Sequence, residues 1–136
     1  MIQSFRDIAG KALARMPMRK VIAPEPDRAT LDVLRDASHR GLAEPLFIGR
    51  RRRIESALAD ASWPSPGIEI VHTENPREMP SAALALLREG RADMVMQGSL
   101  TQRDLLSALA AAAPNAAGGG MSPALLFDMP GAGRLG

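Results

Sequence analysis

Short apolar runs alternate with segments of helical periodicity, and this alternation restricts the fold more than any other feature of the sequence. Five such runs, each closed by a proline, a glycine or a polar turn residue, lie at residues 19–23, 45–48, 68–72, 93–96 and 124–129. Strands that alternate with helices of about ten to fifteen residues indicate βαβ units and a parallel sheet with helices on both faces. The sequence therefore predicts a three-layer α/β/α domain with a mostly parallel sheet of about five strands.

The segment 92–106 concentrates residues suited to binding. Its apolar run breaks at Gln97-Gly98-Ser99, and apolar side chains then resume at helical spacing. In open α/β sheets ligands bind where strands end and helices begin. Gly98, Ser99 and Thr101 can cradle an anion there, because glycine lets the backbone approach and a helix N-terminus attracts negative charge. The alternative from the same residues is an ordinary turn whose hydroxyl caps the helix.

Local signals also place the helix ends. Asp27 and Asn75 are expected N-caps, because short polar side chains there accept hydrogen bonds from the first free N–H groups of a helix. Pro76 suits the first helical position. Gly41 and Gly90 mark the ends of the same two helices. The third strand is expected near the edge of the sheet.

Composition excludes several classes of function. The chain of 136 residues has no cysteine, which removes disulfides, thiolate catalysis and cysteine metal sites. No other cluster of ligands supports a metal. No apolar run approaches the roughly 18 residues needed to cross a membrane, and the N-terminus carries charges throughout rather than the apolar core of a signal peptide. We expect one domain, residues 1–136, in the cytoplasm, with no membrane partner.

Arginine makes up nearly all of the basic residues, and four arginines stand together at positions 50–53. Such a run suggests a nucleic-acid surface. However, the net charge is only +2 and aromatic residues amount to 3%, which leaves few rings for stacking on bases. We interpret the run as the solvated first turn of a helix and expect no nucleic-acid partner.

Three further side chains are candidates for the same crevice. Arg28 and Arg103 each lie early in a helix that follows a strand, and Ser122 directly precedes the last apolar run. Guanidinium groups bind phosphate through paired hydrogen bonds. The alternatives are solvated surface arginines and a serine that caps a loop. His39 and His72 are far apart in the sequence, and we interpret them as structural rather than as a catalytic pair.

Four segments follow one another in an order typical of one enzyme family. They are Ala23-Pro24-Glu25 with Asp27 and Arg28, residues 39–49 (HRGLAEPLFIG), residues 87–106 around REGRADMVMQG, and residues 122–131. Together they span about residues 20–135. In this order and spacing they resemble the N-terminal part of the phosphate acetyl/butyryl transferases, the phosphotransacetylase family, whose members move an acyl group between coenzyme A and phosphate.

The resemblance implies a fold like that of the isocitrate/isopropylmalate dehydrogenases, and acyl-CoA and phosphate as substrates. It implies coenzyme A as a substrate, no permanently bound cofactor, and a homo-oligomer. Members of the family are longer and have a second domain. We therefore expect these residues to be the N-terminal portion of a two-domain acyltransferase, truncated and inactive or nearly so alone. Phosphate would attack the thioester directly, because cysteine and a recognisable Ser-His pair are both absent. Catalytic residues stay unassigned.

The chain departs from the family pattern at four positions. Gln97, retained as a substrate-binding candidate, stands where the family usually has lysine. Thr101 lies one place before the family's threonine, which Gln102 replaces. Pro123 stands in place of a histidine, and Ser107 in place of a basic residue. These departures leave a second hypothesis open, a non-catalytic domain of the same fold that binds coenzyme A or a nucleotide, or that regulates a partner.

Overall fold

A computed structural model describes residues 4–14, 18–64 and 66–112, in which five helices accompany four strands. The helices are α1 (Phe5–Leu13), α2 (Arg28–His39), α3 (Arg51–Asp60), α4 (Met79–Arg88, after a 3-10 turn at Pro76–Glu78) and α5 (Gln102–Ala112). The strands are β1 (Arg19–Pro24), β2 (Ala43–Gly49), β3 (Glu69–His72) and β4 (Met94–Val95). None of these helices is long and apolar enough to span a lipid bilayer.

The four strands form one parallel sheet in the order β3-β2-β1-β4. β1 is central, so that Ile22 is paired with Leu46 on one side and Val95 on the other. β3 lies at an edge of this sheet, as the sequence predicted. β4 is shorter than the predicted strand 93–96, although the flanking Asp93 and Met96 N–H groups still donate to carbonyls of β1, at 2.9 and 2.8 Å.

Alternate side chains of the strands enter two separate cores. Val21, Ala23 and Phe47 pack with buried residues of α2 and α3 on one face. Ile22 and Ile48 pack with α4 on the other face, and Leu105 of α5 lies against the same cluster. Strands buried on both faces read as continuous apolar runs, which is why the sequence marks them clearly. The α/β architecture with helices on both sides is confirmed, whereas the predicted fifth strand, 124–129, lies outside the described residues.

The sheet order creates a switch point at the carboxyl end of β1. α2 leaves β1 towards one face, whereas α5 leaves the neighbouring β4 towards the other face. The two connecting loops therefore part from each other and leave a crevice between them. Ligands of open α/β sheets bind in crevices of this kind.

Asp27 is the N-cap of α2, as predicted, whereas Asn75 caps the 3-10 turn at Pro76–Glu78 that precedes α4. Asp27 accepts a hydrogen bond from the Thr30 N–H at 2.8 Å, and Asn75 accepts one from the Arg77 N–H at 3.0 Å. The bond from Thr30 also lowers the pKa of the Asp27 carboxyl. Both caps form within a few residues, so short-range sequence is sufficient to specify them.

We expect Asp27→Ala to lower the free energy of unfolding by about 1 kcal/mol, because the Thr30 N–H loses its acceptor. Urea unfolding at neutral pH measures this loss. Asp27→Asn is the matched control, since its amide oxygen can accept the same hydrogen bond and should keep most of the stability. Equal losses in the two variants would show that the cap bond is not what Asp27 contributes.

Candidate functional site

Glu25 stands at the centre of the crevice. It is the first residue after β1, its N–H donates to the Ile48 carbonyl at 2.8 Å, and its backbone has a φ of 28°. A non-glycine residue with positive φ is uncommon and carries strain. Its side chain is only 13% exposed. The fold therefore holds a carboxylate in a strained position at the switch point.

Two arginines from the next strand end neutralise this carboxylate. Arg50 donates to both oxygens of Glu25, at 2.7 Å from Nε and 2.9 Å from an amino nitrogen, and its backbone N–H donates at 3.2 Å. Arg53 lies 3.7 Å from the second oxygen. The hydrogen bond from Arg50 lowers the pKa of Glu25, and Glu25 raises that of Arg50. Glu25 is thus an ionised anchor rather than a proton acceptor at neutral pH.

Glycine at the end of β2 makes room for this arrangement. A Cβ atom on Gly49 would lie 2.3 Å from the Cγ of Glu25. Heavy atoms do not approach that closely without displacement, so a side chain at this position would push Glu25 away from Arg50. The glycine that closes β2 thus leaves space for the carboxylate as well as ending the strand.

Two cavities open on either side of Glu25. The α3 cavity has a volume of about 530 Å³, and its polar lining includes Glu25, Asp27, Arg52, Arg53, Asp60 and Ser99. The α4 cavity has a volume of about 440 Å³, and its lining includes Glu25, Arg77, Ser99, Leu100, Asp104 and Ser107. Both volumes suit small-molecule ligands. Glu25 and Ser99 belong to both cavities, so the two spaces meet at the switch point.

The predicted anion-binding turn is packed tightly on β1. The Ser99 N–H donates to the Pro24 carbonyl at 3.1 Å, and its hydroxyl donates to the same oxygen at 3.4 Å. A Cβ on Gly98 would lie 2.2 Å from that oxygen. Gly98 therefore lets the turn approach Pro24 rather than a ligand. Ser99 lines both cavities, but its N–H is committed within the chain.

Thr101 acts as the cap of α5. Its hydroxyl accepts from the Asp104 N–H at 3.1 Å and donates to the Asp104 carboxylate at 2.7 Å. A hydroxyl has one proton to donate, so Thr101 has none left for phosphate in this arrangement. Gln97 is exposed, and its side chain lines neither cavity. For Thr101, the structure matches the alternative of a hydroxyl cap.

The remaining candidates do not join these residues. Nε of Arg28 donates to both carboxylate oxygens of Asp32 at 3.1 Å, and an amino group donates to the Asp60 carbonyl at 3.0 Å. Arg103 is exposed at the start of α5, and like Arg28 it lines neither cavity. Ser122 lies outside the described residues.

Sequence reasoning missed Glu25 and the arginines that line the crevice, Arg52, Arg53 and Arg77. The run at 50–53 does form the start of α3, and Arg51, Arg52 and Arg53 are exposed there, as predicted, but the interpretation as a solvated turn leaves out the contacts of Arg50 and Arg51. Arg50 binds Glu25, and Arg51 donates to the Ile70 carbonyl at 2.9 Å. The available signal was an electrostatic mismatch, because the positive end of a helix dipole disfavours arginine in the first turn unless an anion is near.

The two histidines lie at opposite ends of the parallel strands, His72 at the carboxyl end and His39 at the amino end. Nδ1 of His72 accepts from the Arg51 N–H at 3.2 Å, and Nε2 lies 2.9 Å from the Glu74 carboxylate. His39 ends α2, which begins at the carboxyl edge and runs back to the amino edge. They therefore form no catalytic pair. Within residues 4–14, 18–64 and 66–112, no three metal-ligating side chains cluster.

Comparison with known proteins gives a consistent set of relatives. No protein-family model matches the chain. It is 31% identical over 98 residues to the phosphate butyryltransferase of Clostridium acetobutylicum, covering 72% of this chain and 33% of that protein. It is 29% identical over 102 residues to the phosphate acetyltransferase of Rhizobium meliloti, covering 75% and 32%. With the phosphate butyryltransferase of Clostridium beijerinckii the identity is 26% over 137 positions, covering 99% and 45%.

The chain thus spans about a third of the length of two of these relatives and less than half of the third. All three relatives are phosphate acetyl- or butyryltransferases, the family that the sequence motifs resemble. These similarities support a family relationship between this chain and the phosphate acetyl- and butyryltransferases.

Proposed function

We propose that the chain is part of a phosphate acyltransferase that moves an acetyl or butyryl group between coenzyme A and phosphate, and that it forms one wall of the substrate crevice. The observation that carries the proposal is the arginine-lined crevice at the switch point, in a chain related to enzymes of that name. Acyl-CoA and phosphate are both anionic, and guanidinium groups suit their phosphates. Coenzyme A is then a substrate, and no permanently bound cofactor is required.

The reaction needs few protein groups. A phosphate oxygen forms a bond to the thioester carbonyl carbon, the carbon–sulfur bond breaks, and coenzyme A leaves as the thiolate. Charge that develops on the carbonyl oxygen requires fixed hydrogen-bond donors. Arg52 and Arg77 line one cavity each, whereas the hydroxyl proton of Ser99 is already donated to the Pro24 carbonyl oxygen. Glu25, with its lowered pKa, is assigned to holding arginines rather than to proton transfer.

The test compares this 136-residue chain with the protein encoded by the complete reading frame that contains it. Each is incubated with acetyl- or butyryl-CoA and inorganic phosphate, and both the released thiol and the acyl phosphate trapped by hydroxylamine are measured. We expect equal amounts of the two products from the complete protein and little of either from the chain alone. Thiol release without acyl phosphate would indicate hydrolysis. The absence of both products from the complete protein would contradict acyl transfer. A cytoplasmic homo-oligomer stays a prediction.

A second candidate is a non-catalytic domain that binds coenzyme A or a nucleotide, or that regulates a partner. It is favoured by the turn 97–101, where Gln97 supplies no charge, the Ser99 N–H binds Pro24, and the Thr101 hydroxyl binds Asp104. Such a domain would retain binding while lacking the donors that acyl transfer requires. The two candidates differ in what an added cation at the turn would do.

We expect Gln97→Lys to raise acyl transfer in the complete protein by about tenfold, the effect of about 1.4 kcal/mol of added stabilisation of an anionic transition state. Val33→Lys is the matched control, because it adds the same charge on an exposed position of α2 and should leave the rate unchanged. If the parent protein and Gln97→Lys both bind coenzyme A without acyl transfer, the non-catalytic domain is favoured instead.

A further inference from the structure

The first turn of α3 carries arginines that the chain itself neutralises only in part. This turn contains three arginines and no acidic residue. Arg51 is 3.8 Å from Glu55, whereas the Arg52 guanidinium has no ion pair or hydrogen bond within the described residues. The dipole of α3 adds positive potential at the same end. An external anion would therefore be stabilised beside Arg52.

Glu25 binds its two arginines unequally. Arg50 makes two hydrogen bonds to the carboxylate and a third through its backbone, and its side chain is 35% exposed. Arg53 approaches only to 3.7 Å without a hydrogen bond, and its side chain is 65% exposed. Charge-assisted bonds below about 3 Å are much stronger than such a contact. Arg53 can thus be withdrawn from Glu25 while Arg50 keeps the carboxylate in place.

We propose that Arg52 and Arg53 bind a dianionic phosphate group in the α3 cavity, and that Glu25 competes with this ligand for Arg53. Binding is then an exchange, in which Arg53 gives up its weak contact with Glu25 for paired hydrogen bonds to phosphate oxygens. A dianion gains more than a monoanion from the two guanidinium groups, because the attraction scales with the charge of the ligand. The paired arginines accordingly favour phosphate over singly charged anions, whereas ionised Glu25 opposes the binding of any anion.

The other carboxylates of the α3 cavity are compatible with this site. Asp27 is committed to the Thr30 N–H as an N-cap. Asp60 ends α3 eight residues after Arg52, which places it about 12 Å farther along the helix axis. Glu74, which also acts on Arg50, is bound to His72. The phosphate therefore lies at the N-terminal end of α3, away from Asp60.

The phosphate group has two possible sources, inorganic phosphate and the 3′-phosphate of coenzyme A, and the inference rests on the proposed function in assuming that the crevice is the substrate site. The test titrates the 136-residue chain with inorganic phosphate, with coenzyme A and with 3′-dephospho-coenzyme A, by ³¹P NMR and calorimetry. The variants are Arg52→Ala, Arg53→Ala and Glu25→Gln. Arg40→Ala is the control, since Arg40 pairs with Asp36 at the far end of α2.

We expect Arg52→Ala and Arg53→Ala each to weaken phosphate binding about tenfold, the loss of one charge-assisted contact, and Arg40→Ala to bind like the parent chain. Glu25→Gln should bind more tightly by about threefold, because the competitor has lost its charge. If coenzyme A is the source, its dephospho form binds as weakly to the parent chain as coenzyme A does to Arg53→Ala. If inorganic phosphate is the source, adding it displaces neither coenzyme A nor 3′-dephospho-coenzyme A from the chain.

Equal binding by the parent chain and both arginine variants, or no binding of any of the three ligands, would overturn the inference. Weaker binding by Glu25→Gln would overturn the competition. Circular dichroism shows whether Glu25→Gln folds. If it does not, sulfate and chloride are compared as competitors that displace bound phosphate from the parent chain, which tests the preference for dianions instead. These binding measurements involve no turnover. If the chain binds phosphate through Arg52 and Arg53 but the complete protein shows no acyl transfer, the proposed function is refuted and the inference stands.

Discussion

Replacing Gly98 with alanine is expected to lower the free energy of unfolding by about 3 kcal/mol, the sum of left-handed strain and forced displacement of packed backbone. Gly98 has a φ of 59°, and its added Cβ would lie 2.2 Å from the Pro24 carbonyl oxygen. That oxygen belongs to the central strand and already accepts from the Ser99 N–H. Neither partner can rotate away, so the turn must lift off β1.

Thermal unfolding followed by circular dichroism measures this change, and the midpoint should fall by roughly 10 °C for a chain of this size. Gly90→Ala is the matched control. Gly90 has a similar φ of 70° but no atom within 4 Å of its added Cβ, and Ser62 adopts a φ of 54° after α3 without being glycine. We expect about 1 kcal/mol from strain alone at Gly90. Equal losses at the two glycines would show that the approach to Pro24 costs nothing.

Gly98 also illustrates what sequence reasoning can reach. The break at 97–99 and its place between strand and helix are local signals, and both were predicted correctly. The partner of the glycine was not, because Pro24 lies 75 residues before Ser99 and only the strand order brings them together. Gly98 was predicted to let the backbone approach a ligand, whereas in the structure it lets the turn approach Pro24.

The same limit explains the missed ion pair. Apolar periodicity and short-range caps identify strands, helices and Asp27 without any long-range information. Glu25 and Arg50 lie 25 residues apart at the ends of β1 and β2, and become neighbours because these strands pair in register, with Pro24 beside Ile48. A sequence alone does not state which strand ends adjoin. The arginine run consequently looked like surface charge although part of it neutralises a partly buried carboxylate.

A second large effect is expected at that carboxylate. Glu25→Ala should lower the free energy of unfolding by about 2 kcal/mol at pH 7, less than a fully buried pair would lose because Arg50 and Arg53 are partly solvated. The alanine leaves the Arg50 N–H and guanidinium without their acceptor and removes the ion-pair partner of Arg53. Glu25→Gln is the matched control, since its amide oxygen can still accept from Arg50 and should lose about half as much.

The pH dependence separates charge from packing. The folded pKa of Glu25 is lowered, so its contribution is fully present above the ordinary carboxyl pKa of 4.5 and is lost as the pH falls through the lower folded value. Urea unfolding from pH 7 down to pH 3 should therefore show the difference between the parent chain and Glu25→Gln shrinking in acid. Asp27 also has a lowered pKa, but it is present in both proteins and cancels in this difference.

A double-mutant cycle with Arg50→Ala assigns the effect to the pair. We expect a coupling energy of about 1 kcal/mol or more between positions 25 and 50 at pH 7, and a smaller one as the pH falls through the lowered folded pKa of Glu25 and the carboxylate takes up a proton. Arg53→Ala in the same cycle should couple weakly, because that contact has no hydrogen bond. Equal coupling to the two arginines would mean that Arg53 is held as firmly as Arg50, and Glu25 could then not exchange it for a phosphate.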